Sequence, residues 1–286
     1  MITCSPYIKT SLQAPTPGIT QHIKYQQMKK IILTICILFP VLFLNAQDLK
    51  KYDRGSFIKG KDSIYYRILF PENFNPSQKY PIVFFLHGSG ERGSDNASQL
   101  VHGGKLFLKN DVRKNFPAIV VFPQCPQNDY WANVNIAQDA NGKRKFSFTE
   151  GGKPTKIMHA LQGMLKDFLK KPYVNKDQVY LGGLSMGAMG TYELLRRERR
   201  KFAAAIAICG GDNTNNIKKY QNVPLWIFHG AKDDIVDPAL SIAIAERLKS
   251  VGDEVKFTLY PNANHNSWDN AFAEPDLLSW LFSHQK

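Results

Sequence analysis

Two absences frame this 286-residue sequence: the first 46 positions hold no Asp or Glu, and the remainder holds only two cysteines, Cys125 and Cys209. A small scaffold stapled by many disulfides is therefore excluded, and so is a CxxC metal site. The two thiols, each set in an apolar run, are expected to be buried and free. The longest apolar run, Ile31 to Leu44, is interrupted by Pro40 and falls short of the roughly 20 residues of a membrane-spanning helix. No internal repeat or long low-complexity linker is present, which excludes solenoids and arrays. What remains is ordinary globular material, 43% apolar, 12% aromatic and 21% charged, with enough apolar side chains for a sizeable core.

The acid-free stretch has an order of its own. Met28-Lys29-Lys30 precede the apolar run, and Asn45-Ala46-Gln47 follow it. Charged, then apolar, then small residues are the pattern of a secretory signal peptide. Residues 1–46 are thus read as a leader, with the signal over 28–46, Met28 as a candidate start and cleavage after Ala46. Export to the periplasm or beyond the cell follows, with no stable membrane insertion after cleavage; the bulky Ile35 before Cys36 argues against a lipid anchor. The whole sequence carries a formal charge of +13, and +9 once the four leader lysines are removed. Because that excess looks dispersed, no nucleic-acid partner is expected.

From residue 47 onward, strand-like runs alternate with helix-like stretches, so 47–286 is read as one catalytic domain. GSFIKGKDSIYYRILFP predicts two antiparallel strands around Gly60-Lys61-Asp62. YPIVFFLHG, AIVVFPQCP, QVYLGGLS, FAAAIAICGG, VPLWIFHG and VKFTLYPN follow, most of them continuously apolar, as strands covered on both faces are. Amphipathic segments near 155–170, 187–200, 238–250 and 267–283 lie between or after them. The alternation predicts an α/β fold of three layers, with a mostly parallel central sheet and antiparallel N-terminal strands. The polar, basic segment 127–154 breaks the rhythm and is expected to form a flap over the ligand crevice.

Gly183-Leu184-Ser185-Met186-Gly187 fits G-x-S-x-G and lies between a strand and a helix, where a nucleophile elbow must lie. A serine hydroxyl needs a base, and the base needs an orienting carboxylate. His265, after the last strand, stands at the same sheet edge as Ser185. His87 and His229 each end a strand in an HG dipeptide, where a turn role suffices. For the acid, HGAKDDIVDP offers Asp233, which fits H-G-x-x-D-x-x-V, with Asp234 as the alternative on the same turn; Asp237 before Pro238 reads as a helix N-cap. Backbone N–H groups of Met186 and Ser89 are the expected oxyanion donors. GSGERG also spells G-x-G-x-x-G after a strand, but the polar SDNASQ that follows cannot supply the packed helix a dinucleotide site needs.

These motifs, LHGSGERG, FPQCP with Trp131, GGLSMGAMG, HGAKDDIVD and NHNSWDNAF, resemble the α/β-hydrolases of the phospholipase/carboxylesterase and poly(3-hydroxybutyrate) depolymerase-like group. The nearest likeness is to exported bacterial proteins known as predicted peptidases. The resemblance implies a serine esterase acting through an acyl-enzyme, with Ser185, Asp233 and His265 as the triad and Ser89 and Met186 at the oxyanion hole. His87, Trp131 and Trp268 are expected to line the substrate pocket. Neither cofactor nor metal is expected. The substrate is expected to be a small-molecule or polysaccharide-linked ester, acetyl or feruloyl esters included. A peptidase or thioesterase using the same triad, and a glycan-binding protein without activity, are the alternatives.

Overall fold

The computed structural model describes residues 49–286, so the leader and its signal lie outside the described residues. An eight-stranded sheet runs in the order β1-β2-β4-β3-β7-β8-β9-β10. Its members are β1 (Asp53–Lys59), β2 (Asp62–Leu69), β3 (Tyr80–Leu86), β4 (Ile119–Pro123), β7 (Val174–Leu184), β8 (Ala204–Ile208), β9 (Leu225–Gly230) and β10 (Val255–Tyr260). From β4 to β10 all pairings are parallel; β1 and β2 are antiparallel, with Gly60 at φ +62 turning between them.

Alternation along the strands divides the core. On β3, Ile82, Phe84 and Leu86 face one apolar cluster while Val83 and Phe85 face the other. The first cluster is covered by α2 (Lys156–Phe168), α3 (Met186–Glu198) and α4 (Ala239–Ser250). The second is covered by α1 (Asn110–Asn115), 3-10 turns between residues 98 and 108, α5 (Trp268–Ala273) and α6 (Leu277–Ser283). Helix α2 shows why such segments form: Thr155 caps it by accepting from the Met158 N–H at 3.2 Å, and Ile157, Leu161, Met164, Leu165 and Phe168 recur on its buried face. Truncating one of these, Leu165 for instance, would cost about 2–5 kcal/mol. Both cysteines are buried and free. Among the described residues no helix is long and apolar enough to cross a membrane.

One expectation needs correction. The single helix predicted over 267–283 is two, because Glu274, extended at ψ 121, precedes Pro275 and cannot stay helical. Segment 127–154, where a flap was expected, contains a regular element: β5 (Val134–Gln138) and β6 (Arg144–Phe148) pair as an antiparallel hairpin. At its tip Asp139 Oδ1 accepts from Asn141 and Lys143 N–H, and Gly142 takes φ +77. The hairpin's Phe146 and Phe148 pack with Ile235 and Leu240 against Met189 and Val236.

Candidate active site

Strand β7 ends at Leu184 and α3 begins at Met186, leaving Ser185 alone on the turn at φ 52 and ψ −119. That conformation is costly for a residue with a Cβ, and the surroundings enforce it. The Ser185 N–H donates to the Ile208 carbonyl at 2.8 Å, tying the turn to β8. A Cβ on Gly187 would overlap the Leu86 carbonyl and stand 2.8 Å from that of His87, and one on Gly183 would overlap the Gly187 carbonyl. The glycines of the motif are therefore clearance between a strand and the helix leaving it.

The parallel strands bring three loops to this edge. His265 Nε2 lies 3.0 Å from Ser185 Oγ, and His265 Nδ1 lies 2.8 Å from Asp233 Oδ2. Asp233 Oδ1 accepts from the N–H groups of Ile235 and Val236, both at 2.9 Å. Burial alone would raise the Asp233 pKa, but hydrogen bonds from His229, His265 and the Val236 N–H outweigh it and hold the carboxyl well below the ordinary range. Asp234 is exposed and faces elsewhere; its N–H donates to Asn264 Oδ1, which also accepts from the His265 N–H, so one asparagine fastens the two loops. Asp237 Oδ1 accepts from the Ala239 N–H at 3.0 Å, just before α4, whose N-cap position is Pro238 rather than the predicted Asp237.

Facing Ser185, the segment after β3 folds as a 3-10 turn, Ser89–Glu91. A Cβ on Gly88 would lie 3.6 Å from that of Ser185, which places this loop over the nucleophile. Arg92 pins it, its guanidinium donating to the carbonyls of Ser89, Gln127 and Asp129. Met186 is the first residue of α3, where a backbone N–H has no partner within the helix.

Of the predicted pocket residues, Trp268 is half-buried and stands edge-on to His265 with ring centroids 5.4 Å apart. His87 and Trp131 are both 0% exposed and lie beneath the site instead. The Cys125 N–H donates to His87 Nε2 at 2.9 Å, so Nδ1 carries the proton and donates to the Gly88 carbonyl at 2.7 Å. Burial lowers the His87 pKa to about 4. Trp131 Nε1 donates to the His87 carbonyl at 3.2 Å. These two hold the ends of β3 and β4 together, a task invisible in an HG dipeptide.

Three side chains near the site were not singled out for it by sequence. His229 Nε2 lies 3.2 Å from Asp233 Oδ2. His102 stacks on Trp268 at 4.8 Å and its Nε2 lies 3.6 Å from Glu91 Oε1, so a carboxylate and an imidazole border the loop over Ser185. Cys209 Sγ, Asp233 and His265 also place donor atoms within 4.8 Å of one another. Burial keeps the Cys209 thiol protonated, however, and the Asp233–His265 pair already spends its donors on each other, so the group fits a proton relay better than a metal.

The family model for phospholipase/carboxylesterase matches residues 74–275. A bifunctional acetylxylan esterase/xylanase of Neocallimastix patriciarum is 40% identical over 73 residues, 25% of this chain and 11% of that protein. Lysophospholipase-like protein 1 of Mus musculus is 25% identical over 213 residues, covering 70% of this chain and 85% of its own. The crystal structure of a thermostable esterase superposes with a TM-score of 0.74 at 28% identity, over 84% of this chain and 64% of that one. The chain thus spans a small part of the fungal enzyme and just under two thirds of the esterase. The family model's span, together with a nucleophile elbow at a parallel sheet edge, establishes that the chain belongs to the phospholipase/carboxylesterase family of α/β-hydrolases.

Proposed function

We propose that the chain hydrolyses carboxylic esters through an acyl-enzyme on Ser185. The observation that carries this reading is the relay from Asp233 to His265 at 2.8 Å and from His265 to Ser185 at 3.0 Å. Ser185 Oγ attacks the ester carbonyl carbon while its proton passes to His265 Nε2. The tetrahedral oxyanion is held by the N–H groups of Ser89 and Met186, each worth about 10² to 10³ in rate. Collapse breaks the bond to the alcohol oxygen, which takes the proton from His265. Water then repeats the sequence, with His265 as base, and releases the acid. Asp233 stays ionised throughout, orienting His265 and stabilising its cationic form.

Ester groups on polysaccharides are the substrate class we favour, supported by the acetylxylan esterase among the relatives. Export is the matching location, supported by the charged, apolar and small order of residues 28–46. The β5–β6 hairpin serves as one wall of the substrate pocket. A fluorophosphonate probe tests the central assignment: the native enzyme should label on Ser185, and Ser185→Ala should neither label nor hydrolyse p-nitrophenyl acetate. Undiminished labelling of that variant would refute it.

A further inference from the structure

Away from Ser185, a groove of about 420 Å³ is lined by seven Lys and Arg side chains. Lys166 and Lys170 enter it from the end of α2, Lys176 from β7, and Arg200 and Lys201 from the turn after α3; Lys59 and Lys286 complete it. Among the described residues, no acidic side chain lines this groove, and only Lys166 of its cations lies within 4 Å of a carboxylate, that of Glu198 at 3.2 Å. Burial lowers the Lys286 pKa; nearby Asp177 opposes the shift and Lys201 adds to it. Cations at helix C-termini complement the dipole, which accounts for the α2 and α3 residues. It does not account for Lys59, Lys176 or Lys286, which arrive from two strands and the last residue of the sequence.

The occupant should be anionic and extended, since seven cations exceed what one small anion can engage. The chain's own residues before Leu49 offer a single acid, Asp48, and a second copy would bring a further excess of cations. An anionic membrane would want apolar side chains projecting beside the lysines. The one apolar residue in the groove, Leu169, is 9% exposed. Ile58 is 71% exposed, but successive side chains of β1 alternate, so it points away from Lys59. A single-stranded nucleic acid would want aromatic side chains on which to stack its bases, and none lines the groove, whereas a carboxylate-bearing polysaccharide satisfies the charge, the concavity and the lack of apolar contact.

We propose that this groove binds a linear acidic polysaccharide, anchoring the polymer away from the site of reaction. Lys176 precedes and Ser185 follows the regular stretch of β7, Val179 to Leu184, which alone spans about 17 Å. Polymer can therefore occupy the groove without obstructing the nucleophile. The link to ester turnover rests on the esterase reading of Ser185, whereas the binding does not.

The test is affinity electrophoresis of the Ser185→Ala chain in gels containing polygalacturonate, with neutral xylan and phosphatidylglycerol vesicles as parallel arms. Retardation by polygalacturonate alone is expected, about tenfold weaker in Lys170→Glu/Lys176→Glu/Lys201→Glu and abolished at about 0.5 M NaCl. Melting temperature checks that the triple variant folds, and Lys176→Glu alone, expected to weaken binding severalfold, replaces it if it does not. Equal retardation of parent and variants, equal retardation by xylan, or preference for the vesicles would overturn the proposal. Loss of esterase activity with charge-dependent polygalacturonate binding retained would sink the esterase reading and leave the groove standing.

Discussion

His229 Nε2 lies 3.2 Å from Asp233 Oδ2, and both side chains are fully closed to solvent. The same nitrogen lies 3.0 Å from the Val236 carbonyl, which only accepts, so Nε2 carries a proton. One carboxylate oxygen is thus held by two imidazoles, one presenting Asp233 to the nucleophile's base and one fixing it from behind.

His229 should therefore act as a positioning residue. His229→Ala is expected to lower kcat/KM about tenfold, the scale of one lost hydrogen bond to a buried charge. Because a donor to the ionised form is lost, the acid limb of the pH profile should also move upward. His229→Gln, which can still donate, should recover part of both. An unchanged pH profile in His229→Ala would show that the residue only packs.

Gly187→Ala tests the elbow. Its new Cβ would meet the Leu86 and His87 carbonyls, which are backbone of the central sheet and cannot swing aside. A loss of at least about 3 kcal/mol is expected in urea unfolding, within the range of overpacked cores or above it. A change under 1 kcal/mol would mean that α3 can slide, and that the clearance argument is wrong.

The buried His87 gives a pH dependence with a definite sign. Its pKa is about 4 in the folded protein and about 6.5 in an unfolded chain, so between these values the unfolded state takes up a proton that the folded state refuses. Stability from this group is complete above pH 6.5 and declines as pH falls toward 4, by about 3 kcal/mol at most. His87→Gln, whose carbonyl can accept from the Cys125 N–H, should flatten the acid side of a plot of melting temperature against pH. Parallel curves for the two proteins would contradict this.

The hairpin wall should separate substrates by size. Phe148 packs with Ile235 and Leu240 above Val236, close to the Asp233 loop. Phe148→Ala is expected to leave acetyl ester turnover within about twofold and to raise KM severalfold for a feruloyl ester, whose ring needs an apolar wall. Equal effects on both esters would remove the hairpin from the pocket.

The sheet was legible because its strands are covered on both faces: Ile82 to Leu86, Ala204 to Ile208 and Leu225 to Phe228 are continuous apolar runs that few other environments accept. Ser185, Asp233 and His265 were legible because each follows a strand on the same edge. Half-exposed elements were harder. The β5–β6 hairpin alternates around Lys143, Arg144 and Lys145 with little burial, so its two strands left no apolar run to mark them within the expected flap. The burial of His87 and Trp131 was hidden for a different reason. Each is enclosed only when the segment after β4 folds back onto the end of β3, a contact 44 residues apart in sequence. The basic groove likewise gathers charge from five segments distant in sequence.

Ser185 sits at φ 52, where glycine would rest without strain. The position proposed as the nucleophile is thus one whose backbone favours glycine. Selection for robustness alone would press to replace the hydroxyl there, and would keep a sturdier, silent version of the same fold.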